Sequence, residues 1–188
     1  MGGTFDPIHV GHLRAAENAR EALGLDEVRF LPAQVPPHRA APISSARDRF
    51  AMVALATALH PRFVADDLEL RREGPSYTVD TIARLRDERP GDDVVLIVGS
   101  DTYPELSSWK EHDRLLRLCT VAVVSRPDDG RPDRQSAEPP AAGVRRVPGP
   151  GLAVSATDIR RRVKEGLSIR YLVPETVADY IAKRGLYR

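Results

Sequence analysis

Short apolar runs alternate with longer stretches in which apolar residues recur at helical spacing. "VRFLPA" from Val28, "DVVLIVGSD" from Asp93 and "CTVAVVSRP" from Cys119 read as buried strands, each ending in a turn or a polar cluster. Between and around them, Gly11 to Leu23, Ser45 to His60, Thr78 to Arg89 and Pro174 to Arg184 carry the helical pattern. Strands that alternate with helices imply parallel β-α-β units. The expected fold class is therefore α/β, an open doubly wound parallel sheet with ligands at the carboxyl ends of its strands.

One stretch breaks the pattern. Residues 127–151 hold six prolines and four glycines, with few apolar residues apart from "VRRV" at Val144 to Val147. It reads as a partly mobile excursion around a short final strand rather than a boundary between domains. Residues 1–188 are thus expected to form a single domain.

Composition narrows the partners. Lys+Arg 28 against Asp+Glu 27 gives a net charge of +1, which supplies no electrostatic case for nucleic acid or an acidic membrane surface. Lysine occurs only at positions 110, 164 and 183, so the cations are mostly arginines, planar forks suited to phosphate. A single cysteine, Cys119, allows no intrachain disulfide and no cysteine-based zinc site, as in a reducing cytoplasm. No targeting segment or apolar run of spanning length is present, and nothing in the sequence sets an oligomeric state.

The densest chemistry lies at the start, in "GGTFDPIHVGH" from Gly2 to His12, just ahead of an amphipathic stretch. Gly2 and Gly3 allow close backbone approach to a ligand, and a following helix presents unpaired amides to an anion. His9 and His12, three apart, can converge as donors on one phosphate if the helix begins near Val10. Such a pair can hold an oxyanion as charge grows in a transition state.

This string resembles the HxGH signature of the Rossmann-like nucleotidyltransferases, and within them most closely the nicotinate-mononucleotide adenylyltransferases. The resemblance runs from Met1 to Tyr187 and fails only in the proline-rich excursion. "VSATDIRRRV" is similar to the second family signature at Ser155, Thr157, Ile159 and Arg160, and Ser155 with Asp158 is also a helix-starting capping pattern. Arg161 and Arg162 read as a solvated helix face. "LIVGSD" sets Gly99 and Asp101 after a strand, where an acid can accept ribose hydroxyls. Trp109 is the only tryptophan; a lone tryptophan is usually core, but its neighbours Ser107, Ser108, Lys110 and Glu111 are polar.

What the resemblance implies is specific. His9, His12 and Arg160 would be catalytic, with Gly3, Thr4, Phe5, Gly11, Gly99, Asp101, Ser155 and Thr157 completing an ATP site. Trp109 would stack on a nicotinate ring, and Thr78, with the backbone near Lys110, would receive its carboxylate; Thr78 also reads simply as a helix N-cap. His38, Arg39 and Arg126 would complete the mononucleotide site, although relatives often carry lysine where Arg39 stands. The implied reaction is magnesium-dependent transfer of AMP from ATP to nicotinate mononucleotide, with no dedicated metal-ligating residue. Phosphopantetheine adenylyltransferase or a cytidylyltransferase is the neighbouring alternative, and a non-catalytic nucleotide-binding regulator the alternative of another class. The closing helix would be structural, with Tyr180 and Ile181 as core. In this fold a buried strand leads into Gly-Gly, and Met1 could be only its last residue, so a short apolar segment is expected ahead of Met1 in the natural reading frame.

Overall fold

The computed structural model describes residues 1–37, 41–125, 143–149 and 151–188. His38, Arg39, Arg126 and most of the proline-rich excursion, with its expected mobility, lie outside the described residues. The short strand foreseen within that excursion is present.

Strands β1 (Gly2–Gly3), β2 (Val28–Pro32) and β3 (Phe63–Ala65) form one parallel sheet in the order β1-β2-β3. Strands β4 (Val95–Gly99), β5 (Thr120–Val124) and β6 (Val144–Val147) form a second, in the order β4-β5-β6. A single continuous sheet was expected; the two ladders instead meet where β1 packs beside β4. With only two residues, β1 offers few backbone groups, and those recorded go to β2: Leu31 and Ala33 donate to the carbonyls of Met1 and Gly3 at 3.0 and 2.9 Å. Across the seam, the order is that of a doubly wound fold, whose ligands bind where the winding reverses.

Alternation along β4 and β5 builds two cores. Leu96, Val98, Val121 and Val123 face α3 (Thr78–Glu88) and α4 (His112–Leu118) through Val79, Ile82 and Leu115. Ile97, Ala122 and Val124 face the other way, into a core shared with Ala16 and Ala19 of α1 (Val10–Leu23). Those alanines let α1 lie close over β4, β5 and β6. Helices on both faces exclude a one-sided α+β arrangement.

Helix α2 (Ala46–Thr57) packs on α6 (Glu175–Arg184), and a polar knot around the buried Asp48 joins them. Ser45 Oγ donates to Asp48 at 2.6 Å, Tyr180 Oη at 2.8 Å and Arg184 Nε at 3.2 Å. Ile181 is core as expected, but Tyr180 is half-buried and serves Asp48, because its ring reaches the polar seam between the helices. Helix α5 (Ala156–Lys164) starts at Ser155, whose Oγ accepts from the Asp158 amide at 3.2 Å. Arg161 and Arg162 lie on the solvated side, as expected, where they pair with Asp158 at 2.6 and 3.0 Å. No described helix is long and apolar enough to cross a membrane.

Candidate active site

The seam between the sheets opens into a cleft of about 590 Å³. Gly3, Thr4, Phe5, His9, Gly11, His12, Thr78, Gly99, Asp101, Trp109, Lys110, Ser155, Thr157 and Arg160 all line it. Residues scattered from position 3 to 160 are brought together because β1, β4 and the starts of α1, α3 and α5 end at the same edge.

The loop from β1 into α1 is shaped by its own aromatic ring. Phe5 has a left-handed backbone (φ 51°) and is buried, with its ring edge-on to His12 at 5.1 Å. A Cβ on Gly3 would stand 3.0 Å from that ring, so the absent side chain makes room for Phe5 as well as for any ligand. Asp6 is joined to Pro7 by a cis peptide bond.

His9 is the N-cap of α1, and the two imidazoles do not simply point at one spot. They stack, with centroids 3.6 Å apart and planes 25° from parallel. His9 is almost wholly buried, whereas His12 is half-buried beside the cleft. The His9 backbone N–H donates to His12 Nδ1 at 3.2 Å. An accepting Nδ1 puts the proton of a neutral His12 on Nε2. Gly11 completes the fit, since a Cβ there would meet the His9 Cε1 and Nδ1 at 3.1 Å.

Arg160 comes from α5. Its Nη1 donates to the Asp6 carbonyl at 2.7 Å and its Nη2 to Thr157 Oγ1 at 3.2 Å, which ties the two signature segments together. The first amides of α5 have no partners within the helix, which suits an anion.

Other residues that line the cleft bring different chemistry. Trp109 is half-buried at the end of the 3₁₀ turn Tyr103–Ser108. Lys110 Nζ lies 4.7 Å from the Tyr77 ring centroid and 3.1 Å from Asp80. The N-cap of α3 is Tyr77, not Thr78, so Thr78 is the first helical residue and offers the cleft a backbone amide. Asp101 is an exposed residue in the turn after β4.

Three buried polar residues were not anticipated from the sequence. Arg49, in the apolar face of α2, donates through Nη1 to the Thr4 carbonyl at 2.8 Å and through Nη2 to that of Gln34 at 3.4 Å. Burial pulls its guanidinium below its ordinary range, against the pull of Asp6. Glu69 lines the cleft and accepts from Thr81 Oγ1 at 2.8 Å; burial pushes its carboxyl up, opposed by hydrogen bonds from Thr81 and Ser76. Asp6 accepts from the Ile43 amide at 2.7 Å, from Ser44 Oγ and from Tyr187 Oη at 2.6 Å. "FDP" alone signalled a turn, and the partners of Asp6 are too distant in sequence to be read there.

A parallel fold split at its middle, with helix starts and a histidine pair at the break, is the architecture of a Rossmann-like nucleotidyltransferase. The Plasmodium falciparum nicotinic acid mononucleotide adenylyltransferase complexed with NaAD shares it, at a TM-score of 0.80 and 19% identity over 99% of this chain and 94% of that one. The cytidylyltransferase-like family matches residues 1–162. Probable nicotinate-nucleotide adenylyltransferases from Thermus thermophilus and Chromohalobacter salexigens are 47% and 44% identical, over the whole of this chain and 97% and 94% of theirs. The chain belongs to the nicotinate-nucleotide adenylyltransferase family of cytidylyltransferase-like proteins.

Proposed function

We propose that this protein transfers the adenylyl group of ATP to the 5′-phosphate of nicotinate mononucleotide, forming deamido-NAD and pyrophosphate in the cytoplasm, with residues 1–188 acting as one catalytic domain. The observation that carries this reading is one cleft lined both by phosphate-type donors, His9, His12 and Arg160, and by an aromatic ring and a helix start, Trp109 and Thr78. Those two kinds of lining suit the phosphates and the ring of a dinucleotide. Family membership points the same way.

In this reading an oxygen of the mononucleotide phosphate attacks the α-phosphorus of ATP, and the bond from that phosphorus to the bridging oxygen of pyrophosphate breaks. No side chain becomes covalently attached. His12, through Nε2–H, and Arg160 donate to the phosphate oxygens as charge moves onto the leaving group, while buried His9 braces His12 from below. Gly3, Thr4, Phe5, Gly11, Ser155 and Thr157 shape the triphosphate end, and Gly99 and Asp101 the ribose. Such positioning is worth orders of magnitude in rate. Trp109 stacks on the nicotinate ring, the Thr78 and Lys110 region receives its carboxylate, and His38, Arg39 and Arg126 complete the mononucleotide site. Among the described residues no three His, Cys, Asp or Glu side chains gather as a metal cage. Magnesium brought in with ATP would neutralise charge on the phosphates, and no residue of this chain is assigned as its dedicated ligand.

A pyrophosphate-release assay that offers nicotinate mononucleotide, its amide counterpart and phosphopantetheine in turn tests the proposal. The acid mononucleotide is expected to give the highest kcat/KM, because helix-start amides favour its carboxylate. His12→Ala is expected to lower kcat by about 100-fold or more with the fold retained. Faster turnover of phosphopantetheine, or ATP binding without pyrophosphate release from any acceptor, would overturn it.

A further inference from the structure

Tyr187 does not line the cleft, yet its hydroxyl is buried against a residue that does. Its Oη donates to Asp6 Oδ1 at 2.6 Å and lies 2.7 Å from Ser44 Oγ, which itself donates to the same carboxylate oxygen. Asp6 Oδ2 takes the Ile43 amide. The Asp6 carboxylate is thus spent on Tyr187 and Ser44, which lie outside the cleft lining, and on Ile43, which lies within it, while its backbone carbonyl holds Arg160 Nη1 at 2.7 Å. The peptide plane that orients the guanidinium belongs to a residue whose side chain is clamped from behind.

We infer that Tyr187 is a positioning residue for adenylyl transfer, acting through Asp6 on Arg160. This rests on the catalytic role proposed for Arg160. The remaining geometry fits it. Arg49 secures Thr4 two residues earlier through that residue's carbonyl, so the loop is fixed at Thr4 and at Asp6 by groups outside the cleft. Burial and the neighbouring Asp6 carboxylate also hold the Tyr187 phenol well above its usual range, which keeps it a donor throughout the working pH range. Without that hydroxyl, Asp6 Oδ1 keeps only Ser44 and Oδ2 keeps the Ile43 amide, so the residue whose carbonyl holds Arg160 is less firmly fixed.

A double-mutant cycle tests this on the full chain. Tyr187→Phe keeps the ring and its packing and is expected to lower kcat about tenfold, with KM for the mononucleotide within about twofold of the wild type. Arg160→Ala is expected to lower kcat further. The combined variant is expected to match Arg160→Ala within about twofold, since a group that acts only through Arg160 has nothing left to position. Ser44→Ala, which removes the second hydroxyl on the same oxygen, is expected to lower kcat in the same way and provides the same cycle if Tyr187→Phe does not fold. Wild-type kcat in Tyr187→Phe and Ser44→Ala, or losses that multiply fully in the combined variant, would overturn the positioning role alone. Wild-type kcat in Arg160→Ala would overturn both this role and the catalytic assignment of Arg160.

Discussion

Replacing Gly11 by alanine sets two effects against each other. Helix propensity alone favours the change by about 1 kcal/mol, because Gly11 lies in the first turn of α1. The structure opposes it. The new Cβ would stand 3.1 Å from two atoms of the His9 ring, tighter than ordinary van der Waals contact. That ring cannot easily yield, being 2% exposed and stacked on His12 at 3.6 Å. Forcing one methyl into such a site costs about 1–3 kcal/mol, so the net effect on stability is a loss of about 1 kcal/mol. Activity should suffer as well. A shift of a few tenths of an ångström in His9 passes to His12, and since misplacement by about 1 Å costs about 100-fold in rate, a loss of roughly 3- to 10-fold is expected. Urea unfolding followed by far-UV circular dichroism, with pyrophosphate release on the same preparation, measures both quantities. A Gly11→Ala protein that is more stable than the wild type and turns over at its rate would refute the reasoning, because the clash would then have been relieved without moving the histidines.

Two further predictions concern pH. Hydrogen bonds from Ser45, then Tyr180 and Arg184, hold the Asp48 carboxyl below its ordinary value despite burial, so its contribution is present above that value and lost as pH falls through the folded one. Asp48→Asn should therefore cost about 2 kcal/mol near neutral pH, and thermal melts of the two proteins should converge in acid; a constant gap down to pH 3 would contradict the knot between α2 and α6. Glu69 has the opposite sign: burial raises its folded pKa, so stability is greatest below the unfolded value and declines as pH rises through the folded one. Glu69→Gln should be more stable than the wild type at pH 8 and no more stable at pH 4, and differential scanning calorimetry at the two values would expose the reverse order.

Much of this molecule is legible in its sequence where one residue's neighbours along the chain determine its place. The short apolar runs "VLIV" and "TVAVV" yield β4 and β5, and Ser155 with Asp158 yields the start of α5. Strand β3 was not foreseen, since Phe63–Ala65 is too short to show a period and exists through its pairing with β2. Helix α4 went unread for a related reason: "HDRLLRL" is only seven residues, with one of them, Leu115, buried. The cleft residues that carry family motifs were found, whereas Arg49, Glu69 and the partners of Asp6 were not. A charged residue in an apolar face reads as a solvent-facing position until the carbonyls that satisfy it are known. The stacked histidines show a subtler limit, because spacing of three allows convergence on a ligand and stacking on each other alike.

The bond between Tyr187 and Asp6 spans 181 positions. The loop that holds Asp6 is therefore synthesised long before the hydroxyl that closes on it, and a fragment ending before residue 187 would keep the residues that line the cleft without that rear support. Synthesis order and active-site order run opposite: the loop made first is the one finished last.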